Sequence, residues 1–333
     1  MMKSNVSGLM PMPKDILVVY NTCGISGKEN SASYIKNIQS ILDQQFDSFD
    51  LVVSCCMVNI LTKTMLLNEF EGDVKFNFIN EIHPVNVTFN QSIIETIKRY
   101  GEYNSYMYMD SGTTLLPGLL KDLNTRMKTG KYGMVTPQPA NDTEYFNGLG
   151  VGRYDKDDDY ARQILFKDGD YIIPIGKGMG THTNLISNEL RSFYGRAYPD
   201  IFASHCTEST FSFLNAGLQK QWLLMKDYIL PHELSMDGQS SGFSPAEWQM
   251  RQRRPTYDHP YKIDSILNRV VTAEAKKVGF GYEECRDILV HYKNKYDENY
   301  HCVNEDLKHF CKENLFLKKE ELDYDNILNE YID

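Results

Sequence analysis

An α/β protein, with a mostly parallel sheet flanked by helices, is the fold class that the 333-residue sequence predicts. Two observations carry that expectation. Short apolar runs alternate with amphipathic stretches from Asp15 to Gln138, the pattern of strands joined by crossover helices. The apolar run of "SYMYMDSGTTLLPG" then leads straight into Asp110. An acid at the C-terminal end of such a strand faces the crevice where these folds bind ligands. A plainer role also fits Asp110, which can cap its own turn as Asp often does.

The elements follow in order. "DILVVYNTCG" (Asp15 to Gly24) is a buried strand feeding a loop. "SASYIKNIQSILDQQF" is a helix with Ile35, Ile38, Ile41 and Leu42 on one stripe and Ser31 or Ser33 as N-cap. "FDLVVSCC" and "VKFNFI" are two more strands, and "VTFNQSIIETIKRY" is a helix aligning Phe89, Ile93, Ile94 and Ile97. After the strand that ends in Asp110, a helix is expected from about Pro117 to Met127, since Pro suits a first helical turn. The strand "YGMVTPQ" follows.

From Pro139 to Gly176 the regularity is lost, and the run Asp157-Asp158-Asp159 reads as a solvated loop rather than a cation site. "GKGMGTHTN" (Gly176 to Asn184) lacks the spacing of a P-loop or dinucleotide fingerprint, and reads as backbone passing close to a ligand or another strand. "ESTFSFLNAGL" is a helix and "QWLLMKDYILPHE" a strand ending near His232. Beyond Pro260 the chain becomes polar and helix-compatible, without repeats.

Composition bounds the function. Hydrophobic residues make up 41% and charged residues 24%, an ordinary globular balance with ample material for a core. A net charge of −10 disfavours nucleic acid as a partner, because phosphate binding draws on clustered Lys and Arg. Seven cysteines, two of them adjacent at Cys55-Cys56, do not form a disulfide framework and point to a reducing compartment. The N-terminus carries no signal-peptide core and no apolar run reaches membrane-span length, so the expectation is a cytoplasmic protein, at most peripheral to a membrane.

Taken in order over about residues 14 to 235, several segments resemble glycosyltransferase family 2, whose members use nucleotide-sugar donors on a GT-A fold. "YIKNIQSILDQQFDSFDLVVS" (Tyr34 to Ser54) is similar to that family's first helix and second strand. "NVTFNQSI" places Asn90 on the Asn of another family segment. "YMYMDSGTTLLPGLL" falls where the family carries its DxD signature and a Pro-led helix. "GKGMGTHTNLISNELRSFYG" and "TESTFSFLNAGLQKQWLLMKDYILPHE" resemble later segments, the second spanning the family's ED pair and a closing His. The departures are specific. Cys55-Cys56 stand where an acidic pair commonly meets the nucleobase, Gly112 replaces the second DxD acid, and Ser209 replaces the second acid of the ED pair.

The resemblance implies a GT-A domain over 14–260, with a nucleotide-binding half (14–137) and an acceptor half (138–260), followed by a helical extension over 261–333. It implies Tyr20, Asn21, Thr22, Asn90, Asp110, Gly112 and Gly180 on the donor side. Glu208 becomes the general base, its alternative role being to stabilise a helix N-terminus. Asp110 and His232 become ligands of Mn²⁺ or Mg²⁺, which would put positive charge on the departing diphosphate. "WQMRQRRPTYDHPYK" offers Arg251 and Arg254 either to that diphosphate or to solvent. Cys285, His291, His301, Cys302, His309 and Cys311 lack the paired spacing of a zinc finger.

The expected partners are a nucleotide-sugar donor and an acceptor hydroxyl on a glycan, a lipid-linked sugar, a protein or another hydroxyl compound, with a nucleic-acid acceptor disfavoured by the net charge. Two other functions stay open at this level: a decayed GT-A scaffold, motivated by the missing acids, and a sugar nucleotidyltransferase. The latter usually needs a Lys- and Arg-rich loop after the first strand, of which "NTCGISGKENSAS" is a weak version.

Overall fold

The computed structural model describes residues 14–23, 31–56, 58–70, 72, 74–79, 85–139, 170–173, 183–195, 197–198, 211, 214–215 and 217–231, with isolated positions in 277–288. Eight strands form one sheet: β1 (Ile16–Cys23), β2 (Phe49–Cys56), β3 (Lys75–Ile79), β4 (Ser105–Met109), β5 (Tyr132–Pro139), β6 (Tyr171–Ile173), β7 (Thr183–Ser187) and β8 (Gln221–Leu230). Their spatial order is β3-β2-β1-β4-β7-β5-β8-β6. β1 through β4 run parallel, and β5 pairs parallel with β8. β7 lies antiparallel between β4 and β5, and β6 antiparallel on β8 at the edge. The helices are α1 (Ser31–Leu42), α2 (Ile60–Phe70), α3 (Val85–Tyr100), α4 (Leu119–Met127) and α5 (Asn188–Tyr194).

β1 is central and fully buried from Ile16 to Tyr20, which is why its sequence is a continuous apolar run rather than an alternating one. The pleat divides its side chains. Ile16, Val18 and Tyr20 join Leu51, Val53, Met107 and Met109 on one face, with Ile38 and Ile41 of α1 and Leu119, Leu120 and Leu123 of α4 in the same core. On the other face, Phe89 of α3 meets Tyr108 of β4 edge-on at 5.4 Å and Tyr198 at 5.1 Å. Tyr198 in turn stands edge-on to Phe211 at 5.0 Å. These rings form the second core, in the edge-to-face geometry aromatic pairs prefer.

A buried polar chain ties this second core across the strands. The Trp222 indole donates to Thr136 Oγ1 at 2.8 Å, and the Thr136 hydroxyl donates to Asn184 Oδ1 at 2.8 Å. The Asn184 amide continues the chain to the Tyr198 hydroxyl. Satisfied networks of this kind specify one packing of β5, β7 and β8.

Three differences from the sequence expectation have physical causes. α4 starts at Leu119 rather than Pro117, because Gly118 sits at φ 81 and interrupts helical backbone there. α2 was not expected, since Ile60, Leu61 and Met65 are exposed and the apolar residues do not form one stripe. β7 was read only as close-passing backbone; it is a fully buried strand whose polar Thr183, Asn184 and Ser187 hide its apolar character. The Asp157–Asp159 run, the cluster from Cys285 to Cys311 and the basic segment from Trp248 to Lys262 lie outside the described residues.

Candidate functional site

The site is built where β4 ends. Met109 pairs with Tyr20 of β1 on one side and Thr183 of β7 on the other, so Asp110 emerges at the middle of the sheet's C-terminal edge. Asp110 then opens a tight turn in which the Thr113 N–H donates to the Asp110 carbonyl at 3.2 Å. The Asp110 carboxylate accepts the Ser111 N–H at 2.6 Å. Asp110 thus caps its turn, and it stands partly exposed at the C-terminal edge of the sheet.

One helix holds the segment that follows. Asn37, Ser40 and Gln44 are spaced i, i+3, i+7, the spacing of a single helical stripe continued just past the end of α1. Asn37 Nδ2 donates to the Ser111 carbonyl at 2.8 Å, and Asn37 Oδ1 accepts the Thr114 hydroxyl at 2.6 Å. Ser40 Oγ accepts the Leu115 N–H at 3.0 Å. Gln44 donates to the Leu116 carbonyl at 3.0 Å and accepts the Leu120 N–H at 3.3 Å. Tyr20 adds its hydroxyl to the Ser111 carbonyl at 2.7 Å. Burial pushes the Tyr20 phenol well above its ordinary pKa, so it remains a neutral donor. Sequence reasoning passed over Asn37, Ser40 and Gln44 as site residues. Their signal was a polar stripe on a helix whose neighbouring stripe is the apolar core face.

The same edge gathers unsatisfied polar atoms. Among the described residues five buried side-chain atoms lack a hydrogen-bond partner: Asn21 Nδ2, Ser54 Oγ, Thr113 Oγ1, Thr183 Oγ1 and Asn215 Oδ1. The first four lie at this edge. Asn21 and Ser54 face each other in register near the ends of β1 and β2, Thr113 closes the Asp110 turn, and Thr183 opens β7 beside Met109. Native proteins leave few such groups unpaired, and clusters of them mark places where water or a ligand completes the bonding.

The sequence-predicted donor-side residues are brought together only in part. Tyr20, Asn21, Thr22, Asp110 and Gly112 share this edge. Thr22 donates its hydroxyl to the Ser54 carbonyl at 3.2 Å, and Asn21 Oδ1 accepts the Thr88 hydroxyl at 3.4 Å. Asn90 is buried on α3, where its amide engages the backbone of Tyr198. Cys55 and Cys56 are buried and form no disulfide. Gly180, Glu208, His232, Arg251 and Arg254 lie outside the described residues. Among the described residues no group of three His, Cys, Asp or Glu side chains gathers to hold a metal ion, and no helix is long and apolar enough to cross a membrane.

By sequence, no protein-family model and no curated protein matches the chain. By structure it is similar to the mannosyltransferase PcManGT from Pyrobaculum calidifontis, solved with GDP-Man and Mn²⁺. That similarity has a TM-score of 0.50 at 12% identity and covers 90% of this chain and 74% of the other. A looser similarity, with a TM-score of 0.49 at 12% identity, relates it to residues 1–349 of TarS from S. aureus, solved with UDP-GlcNAc. That one covers 89% of this chain and 92% of the other. Identity this low speaks to architecture alone. The mixed, mostly parallel sheet flanked by helices is a Rossmann-like GT-A fold.

Proposed function

We propose that this chain is a glycosyltransferase that moves a sugar from a nucleotide-sugar donor to an acceptor hydroxyl. The observation that supports it best is that Asp110 and four buried, unpartnered polar atoms, on Asn21, Ser54, Thr113 and Thr183, lie at the same C-terminal edge of the sheet. A polar donor such as a nucleotide diphosphate answers those groups; an apolar ligand does not.

In this reading the acceptor oxygen attacks the anomeric carbon as the bond to the diphosphate breaks, with inversion at that carbon. Glu208 takes the acceptor proton as general base. Asp110, fixed by its own turn, meets the ribose or the cation side of the donor. Asp110 and His232 are the residues that would hold Mg²⁺ or Mn²⁺, offering a carboxylate oxygen and an imidazole nitrogen. Bound there, the ion would neutralise charge on the leaving diphosphate. Arg251 and Arg254 are the candidates to add further positive charge.

The test is nucleotide release across UDP-, GDP-, dTDP- and CMP-sugars, with Mn²⁺ or with EDTA, for wild type and Glu208→Gln. Release from one donor, lost in Glu208→Gln, is the expected result. Absence of any nucleotide or donor binding by thermal shift would sink the transferase reading.

A further inference from the structure

The turn that carries Asp110 holds a peptide group whose orientation is set from behind. Asp110, Ser111, Gly112 and Thr113 form the turn closed by the bond from the Thr113 N–H to the Asp110 carbonyl, so Ser111–Gly112 is its middle peptide. The middle peptide of a turn stands across the plane of the turn and is the part free to flip. A glycine at the third position makes such a flip sterically easy, because the alternative turn type needs a positive φ there. Gly112 does not have one: it is absent from the positive-φ glycines of the described chain.

What fixes the orientation is a pair of donors on one oxygen. The Ser111 carbonyl accepts from Tyr20 Oη at 2.7 Å and from Asn37 Nδ2 at 2.8 Å. Both side chains are fully buried. They are joined to each other, Asn37 Nδ2 donating to Tyr20 Oη at 3.3 Å, and the Thr114 hydroxyl holds Asn37 Oδ1 at 2.6 Å. The triangle leaves the amide no freedom to turn over, since exchanging its N and O would set oxygen against the Ser111 oxygen and nitrogen against a donor hydroxyl.

A trans peptide is planar, and its C=O and N–H point in opposite directions. With the Ser111 oxygen drawn into the interior, the N–H of Gly112 points outward, at the partly exposed edge where Asp110 stands. Among the described residues none accepts from it. We propose that Tyr20 and Asn37 are positioning residues that lock the Ser111–Gly112 peptide with its N–H toward the donor, where it hydrogen-bonds a diphosphate oxygen. This rests on the nucleotide-sugar reading of the site. It gives a chain with glycine at position 112 a fixed dipole for the diphosphate, and a flipped peptide would present the carbonyl oxygen to the same anion instead.

The experiment measures binding of UDP, GDP, CDP and dTDP, each beside its parent nucleoside, by calorimetry at fixed salt. Wild type is compared with Tyr20→Phe and Asn37→Leu, with circular dichroism and thermal midpoint as folding controls. The expected result is a loss of about tenfold in diphosphate affinity in each variant with nucleoside affinity unchanged, the size of one hydrogen bond to a charged group. Tyr20→Phe, which removes a single oxygen, keeps the test decisive if Asn37→Leu does not fold. Equal losses for nucleoside and diphosphate, or no loss, overturn the positioning role while leaving the transferase reading intact. Failure of wild type to bind any nucleotide overturns both.

Discussion

The side chain of Asn90 forms a two-point hydrogen bond with the backbone of Tyr198, donating to its carbonyl at 2.8 Å and accepting its N–H at 2.9 Å. Asn90 mimics a strand partner for a piece of chain 108 residues away. Through it α3 is tied to the ring cluster of Tyr108, Tyr198 and Phe211. A residue expected on the donor side thus acts first on the frame of the site.

Asn90→Ala removes both hydrogen bonds that it makes to the buried backbone of Tyr198, and a buried polar group that loses its partner costs ~1–3 kcal/mol. The expected outcome is a fall in stability of roughly 2–4 kcal/mol, seen as a lower denaturation midpoint in urea at unchanged slope. Asn90→Asp keeps the acceptor but sets a buried carboxylate oxygen against the Tyr198 carbonyl, so at neutral pH it should destabilise at least as much.

Substitution separates the turn cap at Asp110 from the donor role proposed for it. Asp110→Asn retains an oxygen to accept the Ser111 N–H and should leave the thermal midpoint close to wild type, while removing the charge. Donor binding by calorimetry should then weaken by ~10–100-fold if the carboxylate meets a cation or ribose, the range for a hydrogen bond to a charged group. Asp110→Ala should lose the same affinity and, in addition, about 1 kcal/mol of stability from the lost turn cap.

Gly133 packs against Asn215. A Cβ added there would fall within contact distance of Asn215 Oδ1, and its next neighbours are Asn215 Cγ at 3.3 Å and Lys220 Cβ at 3.5 Å. Gly133→Ala should destabilise the protein by ~1–3 kcal/mol through overpacking. Combined with Asn215→Ala the penalty should shrink, because the clash is with that side chain; a double-mutant cycle of thermal midpoints measures the coupling.

Two carboxylates at the opposite, N-terminal edge of the sheet set the acid limit of stability. Burial pushes the Asp15 carboxyl up, but hydrogen bonds from Lys128, Asn104, Asn124 and Ser48 outweigh it and hold the group below its ordinary value of 3.8. Asp50 behaves alike: burial raises it, and the Tyr103 hydroxyl with the charges of Lys75 and Lys14 lowers it further than burial lifts it. A carboxyl depressed by folding stabilises the native state above its unfolded pKa, and that contribution disappears as pH falls through the folded value. Stability should therefore be flat with respect to these groups above about pH 5 and drop below pH 4, within the titration range of Asp. Asp15→Asn and Asp50→Asn should each flatten the acid limb of a denaturation midpoint measured against pH.

Much of the frame was legible from residues. β1, β2 and β4 are buried on both faces, so their apolar runs announced them; α1 carried a clean stripe, whereas on α3 Phe89 and Ile93 are buried but Ile94, expected beside them, is exposed. Asp110 was legible because an acid directly follows five buried residues. α2 was hidden by its exposed Ile60 and Leu61, and β7 by the polar residues it buries. The polar side of α1 was written in Asn37, Ser40 and Gln44, but sequence periodicity does not say which loop a polar stripe grips. The antiparallel sense of β7 was likewise beyond reach, since direction follows from the path of the chain rather than from composition.

That reversed strand has a consequence for how the chain comes into being. β4 and β5 are consecutive in sequence, separated by one helix, yet a slot one strand wide lies between them until Thr183–Ser187 arrives. A chain emerging from the ribosome therefore carries two facing rows of unpaired peptide groups while the next residues are still being made. The middle of the sheet closes only when β7 arrives, before β8 completes the far edge, and a nascent chain stalled before Thr183 would be a sheet with an open seam.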